Sequence, residues 1–169
     1  MIFRKAAPDD LPGILRVIEE GRHFIAAQGI DQWQDGYPDA TQIENDINSG
    51  HSYLYENDGL IVATALFTPE PSPEYLQIDG AWHTDSPYLT IHRMALADSV
   101  RHSGLAFRML EQAIMIARQS NLLSIRIDTH RGNLAMRRFL GKIGFSECGF
   151  VYYCCHDGDP IRVAYDLPL

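Results

Sequence analysis

The sequence predicts an α/β fold, with helices on both faces of a mixed sheet, in one domain spanning residues 1–169. Segments of helical and strand periodicity alternate in the order β-α-α-β-β-β-α-β-α-β-β. The 169 residues are one domain's worth and enough to bury a sizeable core. No internal repeat, low-complexity tract or linker interrupts them.

Ile2 to Lys5 reads as a short first strand. Asp9 or Asp10 can cap a helix with Pro12 in its first turn, and Leu11, Ile14, Leu15, Ile18 and Ile25 recur at helical spacing to about Ala27. Gly29 breaks that helix, and Ile30 to Pro38 is a loop carrying Trp33 and Tyr37. A shorter helix fits Ala40 to Ser49, with Gly50 as its stop. His51 to Glu56 and Leu60 to Phe67 form a hairpin around Asn57-Asp58-Gly59. A proline-rich loop follows, and Tyr75 to Trp82 reads as loop with some strand in it. Tyr88 to Leu96 is the central strand. Leu105, Met109, Ala113, Ile116 and Ala117 give a long helix its buried stripe. Leu122 to Asp128 is the next strand, and Asn133 to Ile143 a helix ended by Gly144. Strands at Cys148 to Cys155 and Ile161 to Leu167 close the chain around Asp157-Gly158-Asp159.

Hydrophobic residues make up 46% and charged residues 21%, ordinary for a soluble globular chain. A net charge of −8 without any basic run argues against a nucleic-acid partner and suits a cationic substrate. The start Met1-Ile2-Phe3-Arg4-Lys5 lacks the apolar stretch of a signal peptide, and no run reaches transmembrane length. Cys148, Cys154 and Cys155 read as reduced thiols, so a cytoplasmic protein with no membrane partner is expected. No HxH, HExxH or CxxC spacing occurs, so no metal is expected.

The most informative segment is Arg101-His102-Ser103-Gly104-Leu105-Ala106, between the central strand and the long helix. A helix start leaves several N–H groups without intrahelical partners and adds about half a positive charge. Gly104 and Ala106 let a bulky polyphosphate approach the backbone, and Arg101 adds charge at the rim.

This segment resembles the hallmark of the GNAT superfamily of acyl-CoA-dependent N-acetyltransferases, Gln/Arg-x-x-Gly-x-Gly/Ala, matched by Arg101, Gly104 and Ala106. Asn133 to Phe145 resembles the family's later helix, with its opening Asn and closing Gly-Phe. The resemblance covers roughly Leu89 to Tyr153, the N-terminal half matching in element order. It implies a mostly antiparallel sheet splayed between the strands at Tyr88–Leu96 and Leu122–Asp128, with acetyl-CoA in the split. The amides of His102, Ser103, Gly104, Leu105 and Ala106 would hold the pyrophosphate. Met94, Ala95 and Leu96 would pair with the pantetheine arm and polarise the thioester carbonyl through one N–H. Asn133 would reach the pantetheine, and Arg137 or Arg138 the CoA phosphates. Asn133 also suits a plain helix cap.

A protonated amine cannot attack a thioester, so a base must take its proton. His92 is the candidate: strict alternation places it with Met94 and Leu96, and an unperturbed imidazole titrates near 6.5. The family's usual thiolate-protonating tyrosine position is Leu140 here. Tyr152, Tyr153 and Tyr165 are the alternatives, with Tyr153 taken as the catalytic partner of His92. The resemblance points to an acceptor pocket lined by Phe24, Trp33, Tyr37, Trp82 and His51, with Asp31, Asp35 or Asp79 steering an ammonium. The expected activity is acetyl transfer from acetyl-CoA to a primary amine of a small molecule, directly in a ternary complex. Two rivals stay open: a catalytically weak acyl-CoA-binding module, and transfer to a protein N-terminus or lysine. A homodimer is expected from the resemblance alone.

Overall fold

The computed structural model describes residues 1–85, 87–153 and 158–169. In chain order it contains β1 (Ile2–Lys5), α1 (Leu11–Ala26), α2 (Ala40–Asn48), β2 (Ser52–Asn57), β3 (Leu60–Thr68), β4 (Asp79–Gly80) and β5 (Tyr88–Leu96). There follow α3 (Leu105–Gln119), β6 (Ser124–His130), α4 (Leu134–Lys142), β7 (Ser146–Tyr152) and β8 (Ile161–Pro168). All eight strands join one sheet in the order β1-β2-β3-β5-β6-β8-β7-β4. Among the described residues only β5 and β6 run parallel, joined by the crossover helix α3; every other neighbouring pair is antiparallel.

The strand portion expected somewhere in Tyr75 to Trp82 is β4. Asp79–Gly80 pairs with Phe150 and Gly149, and Pro73–Leu76 forms a 3-10 turn before it. Glycine is needed on both sides of this pairing. A Cβ on Gly80 would stand 2.2 Å from the Cys148 carbonyl, and one on Gly149 2.1 Å from the Asp79 carbonyl. Two expectations shift. The last two strands begin and end within a few residues of their predicted bounds, and the Cys154–Cys155 portion lies outside the described residues. Asp10 precedes α1 without capping it: its carboxylate accepts from Arg4 at 2.6 and 2.8 Å and from the Ala7 amide at 2.7 Å.

The core follows the apolar stripes. Ile14, Val17 and Ile18 of α1 and Leu105, Met109, Ala113 and Ala117 of α3 are buried against Leu54, Phe67, Leu89, Ile91 and Ile125 of the sheet. Helix α1 packs on β3 and β5, and α3 on β5 and β6. Contact is close enough that a Cβ on Gly21 of α1 would stand 3.3 Å from that of Ala95. A second cluster, Tyr75, Tyr88, Val151 and Ala164 with Trp82 beside it, fixes the 73–84 segment to the sheet.

Two irregularities in β5 position the site. Its parallel pairing with β6 runs from Tyr88↔Ser124 to Ile91↔Ile127 and stops there, so the two strands diverge beyond Ile91. On the other side, His92 pairs with Leu66 and Ala95 with Thr64, leaving Arg93 and Met94 opposite the single residue Ala65. This β-bulge has Arg93 at φ 50, a left-handed conformation that non-glycine residues seldom adopt. The bulge breaks strict alternation. His92 shares a face with Ala95, and the expected grouping with Met94 and Leu96 does not hold.

Candidate active site

Divergence of β5 from β6 leaves the β6-facing edge of residues 92–96 without a partner strand, a row of backbone donors and acceptors open to an extended ligand. A cleft of about 870 Å³ opens there. One end is walled by Arg101, His102, Gly104, Leu105, Ala106 and Phe107, the middle by Met94, Ala95, Leu96 and Asn133, and the far end by Trp33, Tyr37, His92, Asp128 and Tyr153.

The end of the cleft at the start of α3 is built by backbone. Gly104 sits at φ 83 as the residue before α3, and His102 is also left-handed at φ 63. The amides of Arg101 and Ser103 bond back to Asp98 and Val100. Those of His102, Gly104 and Ala106 meet no acceptor among the described residues, as the unfilled donors of a helix start should. Beyond its chain neighbours nothing lies within 4 Å of a Cβ built on Gly104, so conformation and not space favours glycine there. Arg101 is committed inward rather than free at the rim. Its guanidinium pairs with Asp98, donates to the Glu20 carbonyl at 2.9 Å and lies 4.1 Å over the Phe24 ring. Arg101 therefore ties the cradle to α1. Ser103 turns its hydroxyl to the Val100 carbonyl at 2.6 Å. Asn133 does two jobs, accepting the Met136 amide at 3.1 Å as cap of α4 while lining the cleft.

The far end is roofed by the 30–38 loop. Arg22 donates to the Trp33 carbonyl at 2.9 Å, and Asp31 accepts the Asp159 amide at 2.7 Å, docking this loop on α1 and on the start of β8. Beneath it, Arg93 forms a two-pronged pair with Asp46 of α2 at 2.6 and 2.8 Å and donates to the Tyr37 hydroxyl at 2.5 Å. His92 forms part of the wall. Burial, with Arg93 beside it, lowers its pKa to about 3, so the imidazole is neutral at physiological pH. The ordinary value of 6.5 expected from the sequence does not apply. His92→Ala should therefore leave unchanged any limb of the pH–rate profile near 6.5; loss of such a limb would contradict this burial. The unfolded chain takes up this proton near 6.5 and the folded one only near 3, so the group withdraws stability as pH falls through that window.

Sequence reasoning missed Asp128 and Tyr75. Asp128 is the residue after the last β5–β6 pair, the register neighbour of His92 across the split. Its Oδ2 accepts both the Tyr75 and Tyr153 hydroxyls at 2.8 Å. Burial raises its pKa against the pull of those phenols and Arg162, and Glu74 adds to the rise. The Tyr153 hydroxyl pKa is raised strongly by burial and by Asp128. Of the three tyrosines considered, Tyr153 alone lines the cleft; Tyr152 donates to Asp79, and Tyr165 exchanges hydrogen bonds with Arg137 and Glu147.

Four expected contacts fall elsewhere. Arg137 is spent on Tyr165, the Arg131 carbonyl and Glu147 at 3.0 to 3.1 Å, outside the lining. Trp82 packs in the second cluster, its ring 4.2 Å from the buried Arg126 guanidinium and its N–H on the Tyr75 carbonyl at 3.0 Å. Asp79 and His51 are likewise outside the lining. Leu140, at the usual tyrosine position, is 1% exposed and belongs to the core.

An open strand edge leading from a helix-start cradle to a carboxylate-bearing pocket defines an acyltransferase that takes a long phosphorylated thioester. The chain belongs to the GNAT acetyltransferase family: the model of the "Acetyltransferase (GNAT) family" matches residues 18–145. It is 34% identical to a GNAT acetyltransferase from Streptococcus agalactiae, with a TM-score of 0.86 and coverage of 99% of this chain and 95% of that one. An uncharacterized N-acetyltransferase, YesJ of Bacillus subtilis, is 24% identical over 147 residues, 85% of this chain and 81% of YesJ. The PaiA N-acetyltransferase of Thermoplasma acidophilum, solved with coenzyme A, shares the fold at a TM-score of 0.74 and 16% identity, over 99% of this chain and 98% of that one. The protein is thus an acetyl-CoA-dependent acyltransferase. Among the described residues no helix is long and apolar enough to cross a membrane.

Proposed function

We propose that the protein, as a single unit over residues 1–169, moves the acetyl group of acetyl-CoA to a primary amine of a small molecule, directly, in a ternary complex. The observation that carries this reading is the continuity of the cleft: the cradle, the open β5 edge and the acceptor end belong to one space of about 870 Å³. Its acceptor end lies under the docked loop bearing Trp33 and Tyr37, which suits a compact amine better than a polypeptide.

In this reading the amides of His102, Gly104 and Ala106 hold the pyrophosphate, and residues 94–96 hold the pantetheine as an added strand. An N–H freed by the bulge faces the thioester oxygen, where charge grows as the amine attacks. Neutral His92 accepts a hydrogen bond from the amine. Tyr153 keeps its proton on Asp128, and the CoA thiolate departs without help from it. Cytoplasmic location fits the acidic composition and the free Cys148. A homodimer would show in light scattering.

The test is CoA release, corrected for hydrolysis, over polyamines, aminoglycosides, amino acids and peptides. Turnover of a small amine in preference to peptides is the expected result. Turnover of peptides alone would move the acceptor to proteins. Tight acetyl-CoA binding with no turnover on any amine would favour a binding module and overturn the enzyme reading for that panel.

A further inference from the structure

We propose that Asp128 is the base of the reaction: its carboxylate holds the acceptor ammonium and takes one proton from it at the mouth of the β5–β6 split. This rests on the transfer reaction above. The geometry points to Asp128 on three counts. It is the first residue of β6 beyond the last pair with β5, level with His92, where the open edge carrying the thioester begins. The hydrogen bonds that it accepts from the Tyr75 and Tyr153 hydroxyls both end on Oδ2. Its other oxygen, Oδ1, accepts from no described residue, and Asp128 lines the cleft.

The groups around it suit the role. Glu74, on the same turn as Tyr75, adds negative charge, and Arg93 is matched by Asp46. Arg162 from β8 faces Asp128 as the opposing cation, with Tyr37 from the loop and neutral His92 completing the surroundings. Burial favours the uncharged carboxyl, which makes Asp128 more basic than an exposed aspartate, while the two phenols keep it from losing its carboxylate form. His92, lowered to about 3, is a far weaker proton acceptor.

The step balances as follows. One N–H bond of the ammonium breaks, the proton goes to Asp128 Oδ1, and the freed lone pair forms the C–N bond with the acetyl carbon. The C–S bond breaks and its electron pair leaves on the CoA sulfur. The second proton of the former amine goes to that thiolate, and Asp128 returns its own proton to solvent.

The experiment compares wild type, Asp128→Asn and Tyr75→Phe across pH, with an amine that the wild type turns over. Asp128→Asn should bind acetyl-CoA with unchanged Kd and lose at least about 100-fold in kcat at neutral pH. Its rate should climb about tenfold per pH unit as free amine accumulates, closing on wild type in alkali. Tyr75→Phe removes one hydrogen bond to the carboxylate, so the acid limb of kcat/KM should move to higher pH. The carboxyl 13C titration of Asp128 in the free protein should move with it. A wild-type rate in Asp128→Asn, a deficit constant across pH, or an unmoved limb and 13C titration in Tyr75→Phe would overturn the base. If the wild type turns over no amine, the transfer reading falls and the base with it; turnover with an unaltered Asp128→Asn profile sinks the base alone.

Discussion

Gly104→Val is expected to weaken acetyl-CoA binding by at least about tenfold, equivalent to about 1.4 kcal/mol. The physical ground is conformational. At φ 83 a β-branched residue is strained by roughly 1–3 kcal/mol, although the space around a Cβ there is empty. The loop relieves that strain by moving φ toward negative values. That rotation turns the Gly104 amide away from its neighbours at His102 and Ala106, so the proposed three-donor cradle is lost. Asn tolerates the left-handed region, so Gly104→Asn should lose less affinity than Gly104→Ala, and Gly104→Val most. Calorimetric titration with acetyl-CoA reads the order directly. Full affinity in Gly104→Val would show that the cradle does not depend on this backbone turn.

The largest effect on stability is expected from Arg93→Met, about 3–5 kcal/mol and hence a fall of roughly 6–20 °C in Tm. The Arg93 and Asp46 side chains are 11% and 8% exposed, so removing the guanidinium leaves a carboxylate buried without its partner. The same change frees the bulge that Arg93 holds at φ 50 and removes a donor from the Tyr37 hydroxyl. The double variant Arg93→Met/Asp46→Leu removes both charges and should recover most of the loss, because the penalty belongs to the orphaned charge. Its KM for the amine should nonetheless stay raised, since the loop over the acceptor end has lost its tie from Arg93 to Tyr37. A single variant melting within a degree or two of wild type would contradict the account of this pair.

The patterned elements were legible because their signals are local. The stripes of α1 and α3 and the Asn57-Asp58-Gly59 hairpin each declare themselves within a dozen or so residues, and so does the cradle ahead of α3. What escaped is set by tertiary contact. Arg93 stands in a run that reads as uninterrupted strand, and nothing local says that it adopts a positive φ or that its guanidinium pairs with Asp46, distant in sequence. Without that bulge His92 falls on the wrong face. Without its burial His92 keeps an ordinary pKa. Asp128 passed as the end of a strand because its importance comes from two phenols that the chain brings from residues 75 and 153. Trp82 drew attention as a pocket aromatic, yet its ring is claimed by Arg126, whose burial no periodicity announces. Arg137 sits on the helix that the family motif marks, and only the fold shows that it turns toward Tyr165 and Glu147.

A crystal structure of the protein with coenzyme A tests the central claim, that the β5–β6 split and the turn before α3 form the donor site. It should place the pyrophosphate oxygens about 3 Å from the amides of His102, Gly104 and Ala106. The pantetheine should lie along residues 94–96, with the sulfur ending beside His92 and Asp128. Phosphates bound away from the start of α3, or a pantetheine arm outside the split, would contradict it.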